Sequence, residues 1–367
     1  VECLEESGAE VLLVLNASPF EDEKLERRQQ IALARINESG LPLAYVNQVG
    51  GQDELVFDGA SFVLGADCSL RVQLPTFDEA LLVTHWQREG DAWVCEEAIR
   101  SEPPAELEAI YSALLLGLRD YLRKNGFPGI VIGMSGGIDS ALSAAIAVDA
   151  LGPEKVWCVM MPSPYTSAES LRDADDCCRR LGVKLDSIDI EPAMKAFEAM
   201  LAPYFQGLTA DTTEENIQAR ARGITLMALS NKFGHMVLST GNKSETSVGY
   251  TTLYGDMCGG FNVLKDVYKT TVYDLSRWRN EKRPKGALGP EGVIIPEHII
   301  TKPPSAELRP GQKDQDTLPP YNDLDDILRG LIEEEAGVEA LVARGHERAV
   351  VQRVWRLLEN AEYKRRQ

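Results

Sequence analysis

Long apolar runs and basic residues are both scarce in this chain of 367 residues. No apolar run approaches the roughly 20 residues that a helix needs to cross a bilayer, so we expect no membrane partner. The 38 Lys and Arg residues are outnumbered by 57 Asp and Glu. The net charge of −19 therefore argues against a general nucleic-acid-binding protein, which needs cations to neutralise phosphates. What remains is the composition of a globular protein, 44% hydrophobic and 26% charged, with enough length for two domains.

Cysteine and histidine are scarce as well. The seven Cys residues are odd in number and form no C-x-x-C pair, which is typical of reduced thiols and predicts a cytoplasmic location. The four His residues are scattered without the spacing of metal ligands. No signal peptide is visible at the start, where Val1 stands instead of Met.

The chain contains an unusual glycine-rich segment, Gly133-Met134-Ser135-Gly136-Gly137-Ile138-Asp139-Ser140. This segment lacks the Gly-Lys-Ser/Thr ending of a Walker A loop and the G-x-G-x-x-G spacing of a dinucleotide-binding turn. The apolar run 129–132 before it predicts a buried strand, and the small and apolar residues 141–148 after it predict a buried helix. A strand, a glycine turn and a helix in this order direct backbone N–H groups and the helix dipole at an anion.

The side chains of this segment suit a phosphate and its counter-ion. Gly136 and Gly137 can adopt positive φ angles and admit phosphate oxygens to the backbone. Ser135 and Ser140 add hydroxyl donors, and Asp139 can hold a magnesium ion against the same phosphates. The sequence Ser-Gly-Gly-Ile-Asp-Ser resembles the pyrophosphate-binding loop of the N-type ATP pyrophosphatases, which split ATP between the α and β phosphates and adenylate a substrate. An ordinary glycine turn is the alternative, and it leaves the Ser and Asp residues unexplained.

Residues 1–100 form a region of their own. Apolar runs predict strands at 10–15 and 43–46, periodicity predicts a helix at 25–39, and alternation predicts a β-meander over 57–64 and 69–74. The motifs at 16–20, 45–51 and 58–62 resemble the second half of a nitrilase-type glutamine amidohydrolase domain, which is an α/β sandwich. That resemblance implies glutamine binding at Ser18 and Lys24. On the residues alone, Ser18 is a turn residue and Lys24 is a solvated charge.

A charged, proline-containing linker around residue 100 leads into a second domain at 101–367. An apolar face predicts a helix at 105–125, and further helices are predicted from 166–169 to 181 and at 213–232. Apolar runs predict strands at 156–161, 183–190 and 235–239. Residues 166–169 have the pattern of a capping box. Strands that alternate with helices predict the α/β class with a doubly wound parallel sheet. Its ligands should bind at the C-terminal strand ends, where Ser135 and Thr240 are expected.

Several motifs of the second domain together resemble the synthetase domain of the bacterial glutamine-dependent NAD synthetases. These motifs lie at 215–223, 238–245, 250–257, 302–308, 314–321 and 362–367. The resemblance implies an adenine nucleotide alpha hydrolase-like fold, ATP as co-substrate and Mg²⁺ as cofactor. It places ATP contacts at Gly133, Met134, Ser135, Gly136, Gly137, Ile138, Asp139, Ser140, Thr240, Lys269 and Ser305. It places deamido-NAD contacts at Asn216, Glu245, Tyr250, Thr251, Thr252, Leu253 and Lys364.

The implied reaction is the ATP-dependent amidation of deamido-NAD (nicotinate adenine dinucleotide) to NAD through an acyl-adenylate, with release of AMP and PPi. Ammonia attacks the acyl-adenylate, and in the complete protein it comes from glutamine. Asp139 and Glu245 are the implied catalytic and metal-binding residues, and Glu245 is credited with either a metal or a substrate contact. Taken singly, the charged and aromatic residues beyond 240 are typical of solvated loops. Two alternatives stay open. One is another adenylating amidotransferase of the GMP synthetase type, which should lack the Tyr-Lys-Arg-Arg motif found here at 363–366. The other is a non-catalytic nucleotide sensor.

The C-terminal third carries two further predictions. Residues 302–321 contain prolines throughout and cannot form regular structure, which predicts a long loop that the resemblance identifies as a lid over the adenylate. A last helix is predicted from about residue 347, and its basic end at 364–366 suits the helix dipole. The resemblance also implies a homodimer or larger homo-oligomer with the substrate at the interface.

A nitrilase-type glutaminase also needs a Glu base, a Lys and a Cys nucleophile. In the family this Cys lies within Cys-Glu-Asp, upstream of the part that matches residues 18–20. Here Cys3 is the only Cys that precedes Ser18, and it is not followed by Glu-Asp. Cys68 and Cys95 lie downstream of Ser18. We therefore expect residues 1–100 to be part of such a domain, in a chain that is a fragment or one product of a split polypeptide. Such a chain should make NAD from ammonium and not from glutamine.

Overall fold

The computed structural model describes residues 2–90 and 92–365. Contacts divide the chain into two compact units, Val1–Lys124 and Asn125–Gln367. The helix Glu106–Lys124 falls in the first unit, whereas the sequence placed it in the second domain. One contact that holds it there is the hydrogen bond from Gly51 N to Asp120 Oδ2, 2.8 Å long. The assignment of residues 1–100 to a partial amidohydrolase domain stays a prediction.

The first unit combines helices with a mixed sheet. The helices are α1 (Glu2–Glu6), α2 (Lys24–Ser39) and α3 (Glu106–Lys124). The strands are β1 (Leu12–Asn16), β2 (Leu43–Asn47), β3 (Val49–Gln52), β4 (Leu55–Asp58), β5 (Phe62–Leu64), β6 (Leu70–Gln73), β7 (Trp86–Glu89) and β8 (Ala92–Cys95). The main sheet has the order β1-β2-β5-β6, in which only the β1–β2 pair is parallel. Its core packs α2 on the sheet around Ile36 and the stacked rings of Tyr45 and Phe62.

The β-meander predicted over 57–64 and 69–74, with Asp58-Gly59 as turn residues, is present in the antiparallel pair of β5 and β6. The predicted turn is also present, because Gly59 (φ +68°) and Ala60 (φ +55°) separate β4 from β5. β4 pairs with β3 in a hairpin instead of continuing into the main sheet. The hairpin of β7 and β8 was not predicted, because its residues are partly polar, half of them are exposed, and they lack a clear apolar alternation.

The second unit is built on parallel strands with helices between them. The strands are β9 (Ile130–Gly133), β10 (Val156–Met160), β11 (Lys184–Ser187), β12 (Met236–Ser239) and β13 (Phe261–Asn262). The helices are α4 (Ile138–Leu151), α5 (Ala168–Leu181), α6 (Glu191–Phe205), α7 (Thr212–Phe233), α8 (Lys243–Val248), α9 (Lys269–Glu281), α10 (Glu297–Thr301), α11 (Tyr321–Ile332), α12 (Val338–Ala343), α13 (Arg348–Asn360) and α14 (Glu362–Arg365). Short 3-10 turns lie at Pro153–Lys155 and Asp314–Asp316. Among the helices of residues 2–90 and 92–365, none has both the length and the apolarity of a membrane span.

The sheet of the second unit has the order β11-β10-β9-β12-β13, and all its neighbouring pairs are parallel. In the central part, Val131 of β9 lies opposite Trp157 on one side and Val237 on the other. The predicted doubly wound parallel sheet is therefore present. Because the strand order reverses between β9 and β12, the loops that leave these two strands flank a crevice at the carboxyl edge, where such folds bind ligands.

Several helix predictions need correction. Helix α6 was missed, because its apolar residues form no buried face and none of its residues is buried. Helix α5 is capped by Ser167, whose Oγ accepts from Ser170 N at 3.1 Å, so the predicted capping box was placed one residue too early. The single helix predicted from residue 347 to the end is interrupted at Ala361, where α13 gives way to α14. Arg366, the last residue of that predicted basic end, lies outside the described residues.

Candidate active site

The glycine-rich segment leaves the centre of the sheet at β9 and enters α4. Met134 N donates to Val159 O at 2.9 Å, which holds the start of the segment to the neighbouring strand. Gly136 has a φ of +78°, and a Cβ there would lie 2.2 Å from Ser170 O, so both conformation and space require glycine. Gly137 does not use a positive φ: its φ of −87° with a ψ of 164° is extended, and the residue serves as the N-cap of α4.

The two serine hydroxyls shape this turn from within. Ser135 Oγ lies 3.0 Å from Ser140 Oγ and accepts a hydrogen bond from Gly137 N at 3.1 Å. Ser140 Oγ donates to Gly137 O at 2.9 Å. The turn is therefore preformed at the N-terminus of a 14-residue helix, with Ser135 exposed. This arrangement suits an anion such as a phosphate group.

Asp139, Glu245 and Lys269 meet beside this turn although they are distant in sequence. Lys269 Nζ donates to Asp139 Oδ2 at 2.5 Å and to Glu245 Oε1 at 2.8 Å. The two carboxylates lie in the first turns of α4 and α8, and Lys269 is the first residue of α9, so three helix N-termini converge. Lys269 is 2% exposed, and its buried charge is compensated by the two carboxylates. We call these three residues the charged trio.

The electrostatics of the charged trio favour an ionised lysine. Burial lowers the pKa of Lys269, but the charges of Asp139 and Glu245 and their hydrogen bonds more than offset it, so this pKa lies well above its ordinary value. Burial raises the pKa of Asp139, against the attraction of Lys269 and together with the repulsion from Glu245. With both carboxylates ionised, the trio carries one net negative charge, which attracts a further cation.

The two carboxylates suit a hard cation such as Mg²⁺. Asp139 Oδ1 accepts from Asn242 Nδ2 at 2.9 Å, which fixes the orientation of that carboxylate. No group of three or more His, Cys, Asp or Glu side chains placed to hold a metal occurs in the described part of the chain. Because Mg²⁺ is often bound by one or two carboxylates plus substrate phosphates, this donor set fits a metal shared between protein and nucleotide.

Three polar residues around the charged trio were not among the predicted site residues. Tyr321 OH lies 3.0 Å from Glu245 Oε1 and 2.8 Å from Asp314 Oδ2, and its ring centroid is 5.2 Å from Lys269 Nζ. Asn242 Oδ1 accepts from Glu245 N at 2.9 Å and so caps α8. The spacing Asn242-x-x-Glu245 is an N-cap signature, so a capping argument would have found Asn242. Asp314 and Tyr321 are the first and last residues of the motif at 314–321, which was noticed in the sequence without a role for either residue.

A second cluster gathers residues predicted to contact deamido-NAD. Thr252 Oγ1 donates to Asn216 Oδ1 at 3.0 Å. Arg220, one turn further along α7, donates from Nε to Leu253 O at 3.2 Å. Helix α7 therefore holds the turn that follows α8 through two of its side chains. One contacts a side chain of the turn and the other contacts a backbone carbonyl.

Lys364 of α14 holds the same turn. Its Nζ donates to Gly249 O at 2.7 Å and to Thr251 O at 2.6 Å. The buried hydroxyl of Thr251 has no hydrogen-bond partner in the part of the chain that the structure describes, whereas burial and the neighbouring carboxylate of Asp314 raise the pKa of Tyr250. Since buried polar groups are normally paired, the Thr251 hydroxyl is a candidate for contact with a polar ligand.

Thr240 and Ser305, the remaining predicted ATP contacts, lie in different surroundings. Thr240 directly follows β12, which pairs with the strand that leads into the glycine turn. Ser305 is exposed in the irregular segment 302–320, where its Oγ donates to Gln312 O at 2.6 Å and accepts from Glu307 N at 3.2 Å. Glu307 in turn accepts from Ser170 Oγ of α5 at 2.8 Å, which anchors the segment.

In the first unit, Ser18 and Lys24 line one cavity of about 400 Å³. Ser18 N donates to Asn47 Oδ1 at 2.9 Å, and Ser18 Oγ accepts from Arg28 Nε at 3.0 Å. Arg28 is itself buried and paired with Asp58 at 2.8 Å. The structure therefore brings the two residues predicted to bind glutamine to one cavity and fixes Ser18 in a polar network.

Known proteins resemble this chain over most or all of its length. The family model described as NAD synthase matches residues 110–367. The glutamine-dependent NAD(+) synthetase of Rhodobacter capsulatus is 55% identical over 359 residues, which cover 98% of this chain and 65% of that protein. The structure of the glutamine-dependent NAD+ synthetase from Acinetobacter baumannii in complex with ADP matches with a TM-score of 0.76 and 45% identity, covering 100% of this chain and 65% of that one. The NMN synthetase of Francisella tularensis matches with a TM-score of 0.58 and 27% identity, covering 71% of this chain and 97% of that one.

These matches confirm the resemblance drawn from the motifs of the second domain. The matched range 110–367 includes every predicted ATP and deamido-NAD contact, whereas Ser18 and Lys24 lie outside it. The chain spans about 65% of the length of the Rhodobacter capsulatus and Acinetobacter baumannii relatives.

Proposed function

The chain belongs to the NAD synthase family, and on that basis we propose that its second unit catalyses the ATP-dependent amidation of deamido-NAD to NAD. In this proposal the nicotinate carboxylate attacks the α-phosphate of ATP, PPi leaves, and ammonia then displaces AMP from the acyl-adenylate. The substrates are ATP, deamido-NAD and ammonia.

The observation that carries this proposal is the charged trio beside the preformed glycine turn. Adenylation moves negative charge onto the departing PPi, and donors and cations already in place stabilise that charge. The turn supplies backbone N–H groups at the start of α4. Lys269 supplies a buried positive charge that two carboxylates hold in one position before any substrate binds.

The turn 249–253 supports a place for deamido-NAD. Its position is set from α7 by Asn216 and Arg220 and from α14 by Lys364. The unpaired hydroxyl of Thr251 is a suitable partner for the polar groups of a dinucleotide. A nicotinate carboxylate is ionised at neutral pH and needs no general base, so holding it close to the α-phosphate supplies much of the catalysis.

Asp139 and Glu245 are the residues that would hold Mg²⁺, which when bound neutralises charge on the phosphates. We propose that the irregular segment 302–320 keeps water away from the acyl-adenylate, because water would hydrolyse this intermediate. Its anchor is Glu307, which binds Ser170 next to the glycine turn.

We further propose that ammonia comes from glutamine in the complete protein. The names of the relatives state a dependence on glutamine, and the cavity at Ser18 and Lys24 supports a glutamine site in a nitrilase-like region at 1–100. Within these 367 residues, however, no Cys stands in a Cys-Glu-Asp sequence. The chain as given should therefore use ammonium and not glutamine.

A homodimer or larger homo-oligomer is the proposed assembly. Helix α6 is rich in apolar residues but buries none of them, and with α7 it exposes Met200, Tyr204, Ile224 and Phe233. Exposed apolar patches are typical of association surfaces. The cysteines are free thiols, which supports the proposed cytoplasmic location.

The alternatives have less support. An amidotransferase of the GMP synthetase type is not favoured, because the NAD synthase model matches most of the chain. A non-catalytic nucleotide sensor would need no ion pair held ready beside its phosphate turn. The match to an NMN synthetase makes deamido-NMN the informative competing substrate.

The test is NAD synthesis by these 367 residues from ATP, Mg²⁺, deamido-NAD and ammonium chloride, with NAD and PPi both measured. Deamido-NMN and XMP replace deamido-NAD in parallel reactions, and glutamine replaces ammonium in another. Asp139→Asn keeps the size of the side chain and removes its charge, so it should fold and lose PPi release. The matched control Asp323→Asn changes an exposed acid of α11 and should keep full activity. Turnover with XMP equal to that with deamido-NAD, or no NAD formed at all, would contradict the proposal.

A further inference from the structure

Asp325 of α11 is a buried acid that none of the roles above uses. It is 2% exposed, and its two oxygens have different partners. Oδ1 accepts from Ser244 Oγ at 2.5 Å, and Oδ2 accepts from Thr270 N at 2.8 Å. Ser244 Oγ accepts in turn from Lys269 N at 2.8 Å. One carboxylate therefore links three helices, α8, α9 and α11.

The linked positions adjoin the charged trio. Ser244 directly precedes Glu245 in α8, and Thr270 directly follows Lys269 in α9. The N-cap residue of α9, Tyr268, makes no side-chain capping bond. The first N–H groups of a helix lack partners within the helix, and here they are satisfied by Ser244 and Asp325. A carboxylate at this end is also favoured by the helix dipole.

The same face of α11 carries two more polar residues, because Tyr321 and Arg329 lie four positions before and after Asp325. Tyr321 OH contacts Glu245 Oε1, and Arg329 Nη2 donates to Thr271 Oγ1 at 3.1 Å. All three side chains therefore reach the first turns of α8 or α9. A helix that served only to bury apolar surface would not need polar groups at these positions.

We propose that Asp325 is a positioning residue that sets the distance between Glu245 and Lys269 by binding the helix starts that carry them. The expected change in kcat rests on the proposed function, whereas the expected change in the position of Lys269 does not. If the link is lost, Lys269 Nζ is no longer held at both carboxylates. Because a misplacement of about 1 Å can cost 10²-fold in rate, Asp325→Ala should lower kcat by about 10- to 100-fold. The KM for ATP should stay within about threefold, because the glycine turn is untouched.

Two variants of Asp325 distinguish the effect of its hydrogen bonds from the effect of the size of its side chain. Asp325→Ala removes both hydrogen bonds. Asp325→Asn keeps the shape, can still accept from Thr270 N, and can donate to Ser244 Oγ, so it should recover most of kcat. Ser244→Ala removes the bond between α8 and Asp325 and leaves the bond to Thr270 N. It should therefore lower kcat in the same direction but by less, and it serves as the test if Asp325→Ala fails to fold. The matched control is Asp326→Ala, the neighbouring exposed acid that faces His346, which should leave kcat unchanged.

Amide hydrogen exchange gives a readout that does not depend on the proposed reaction. Asp325→Ala should accelerate exchange at Lys269 and Thr270 and leave β9 protected, and an amine-acylating reagent should label Lys269 in this variant faster than in the wild type. Kinetics are compared at a temperature at which circular dichroism shows every variant folded. Unchanged exchange together with unchanged kcat in Asp325→Ala would overturn the inference, as would an equal loss in Asp326→Ala. A wild type without NAD synthesis would refute the proposed function and leave the exchange and labelling results to decide the role of Asp325.

Discussion

Replacing Lys269 with Met should make the stability of the second unit depend strongly on pH. Methionine keeps much of the length of the side chain and removes its charge, so Asp139 and Glu245 are left together without their shared cation. Removing one partner of a buried ion pair costs about 3–5 kcal/mol. We expect a decrease of that order in the free energy of unfolding of Lys269→Met near pH 8.

At lower pH the variant can relieve this repulsion by taking up a proton. Burial already raises the pKa of Asp139 above its ordinary 3.8 with Lys269 present, and without the lysine this pKa should rise further. A folded-state pKa above the unfolded value means that the folded variant holds a proton that the unfolded chain has released, so its stability falls as pH rises through that interval. One such proton corresponds to about 1.4 kcal/mol per pH unit. The difference between wild type and variant should be smallest at acid pH, where Asp139 is protonated in both folded proteins. It should widen as pH rises, because Asp139 ionises first in the wild type, and level off once Asp139 is ionised in both.

The assay is urea unfolding of both proteins at intervals across this pH range. Lys195→Met is the control, because Lys195 forms an exposed pair with Glu191, and it should show no pH-dependent difference from the wild type. The double variant Lys269→Met/Asp139→Asn removes one of the two repelling charges and should flatten the profile. A difference that does not change with pH in Lys269→Met, or a slope that persists in the double variant, would refute the reasoning.

Three further outcomes are expected. Gly136→Ala should abolish PPi release, because the positive φ and the 2.2 Å approach to Ser170 O force the turn to move; a normal rate of PPi release would contradict this. Lys364→Ala should raise the KM for deamido-NAD and leave that for ATP largely unchanged, because its amine holds two carbonyls of the turn 249–253; an unchanged KM would indicate a role in stability alone. A thiol reagent followed by intact mass measurement should modify exposed Cys3 rapidly and leave fully buried Cys158 unmodified until denaturant is added, and early labelling of Cys158 would show that the sheet opens readily.

The parallel sheet could be predicted because its inner strands are short apolar runs bounded by turn residues. β9, β10 and β12 all lie within one or two residues of their predicted limits. Prediction failed where an element does not bury its apolar residues or begins with polar ones. Helix α6 buries none of its residues, and α9 opens with Lys269-Thr270-Thr271, which has no apolar signal. The apolar pattern predicts an element only when apolar residues dominate its sequence and the fold buries them.

In the candidate site, the features set by residues close in sequence could be predicted, and those set by contacts between distant segments could not. The glycine turn could be predicted because a strand, a turn and a helix are adjacent in the chain. Asp139, Glu245 and Lys269 were each predicted as ligand contacts, but their mutual ion pairs depend on the strand order that brings α4, α8 and α9 to one edge of the sheet. Spacing within each motif contains no information about that order.

For Asp325, the sequence could predict burial near the core but not the residues that bind its carboxylate. It lies between Leu324 and the buried pair Ile327 and Leu328, so the apolar pattern of α11 alone already places an acid beside the core. A buried carboxylate without partners is too costly to keep, so the pattern requires hydrogen-bond donors in whatever packs against this face of the helix. It does not say which donors, because a backbone N–H at a helix start and a serine hydroxyl satisfy the carboxylate equally well. The sequence could therefore predict that Asp325 has buried partners, and only the packing of α8 and α9 against α11 identifies them as Ser244 and Thr270, the neighbours of Glu245 and Lys269.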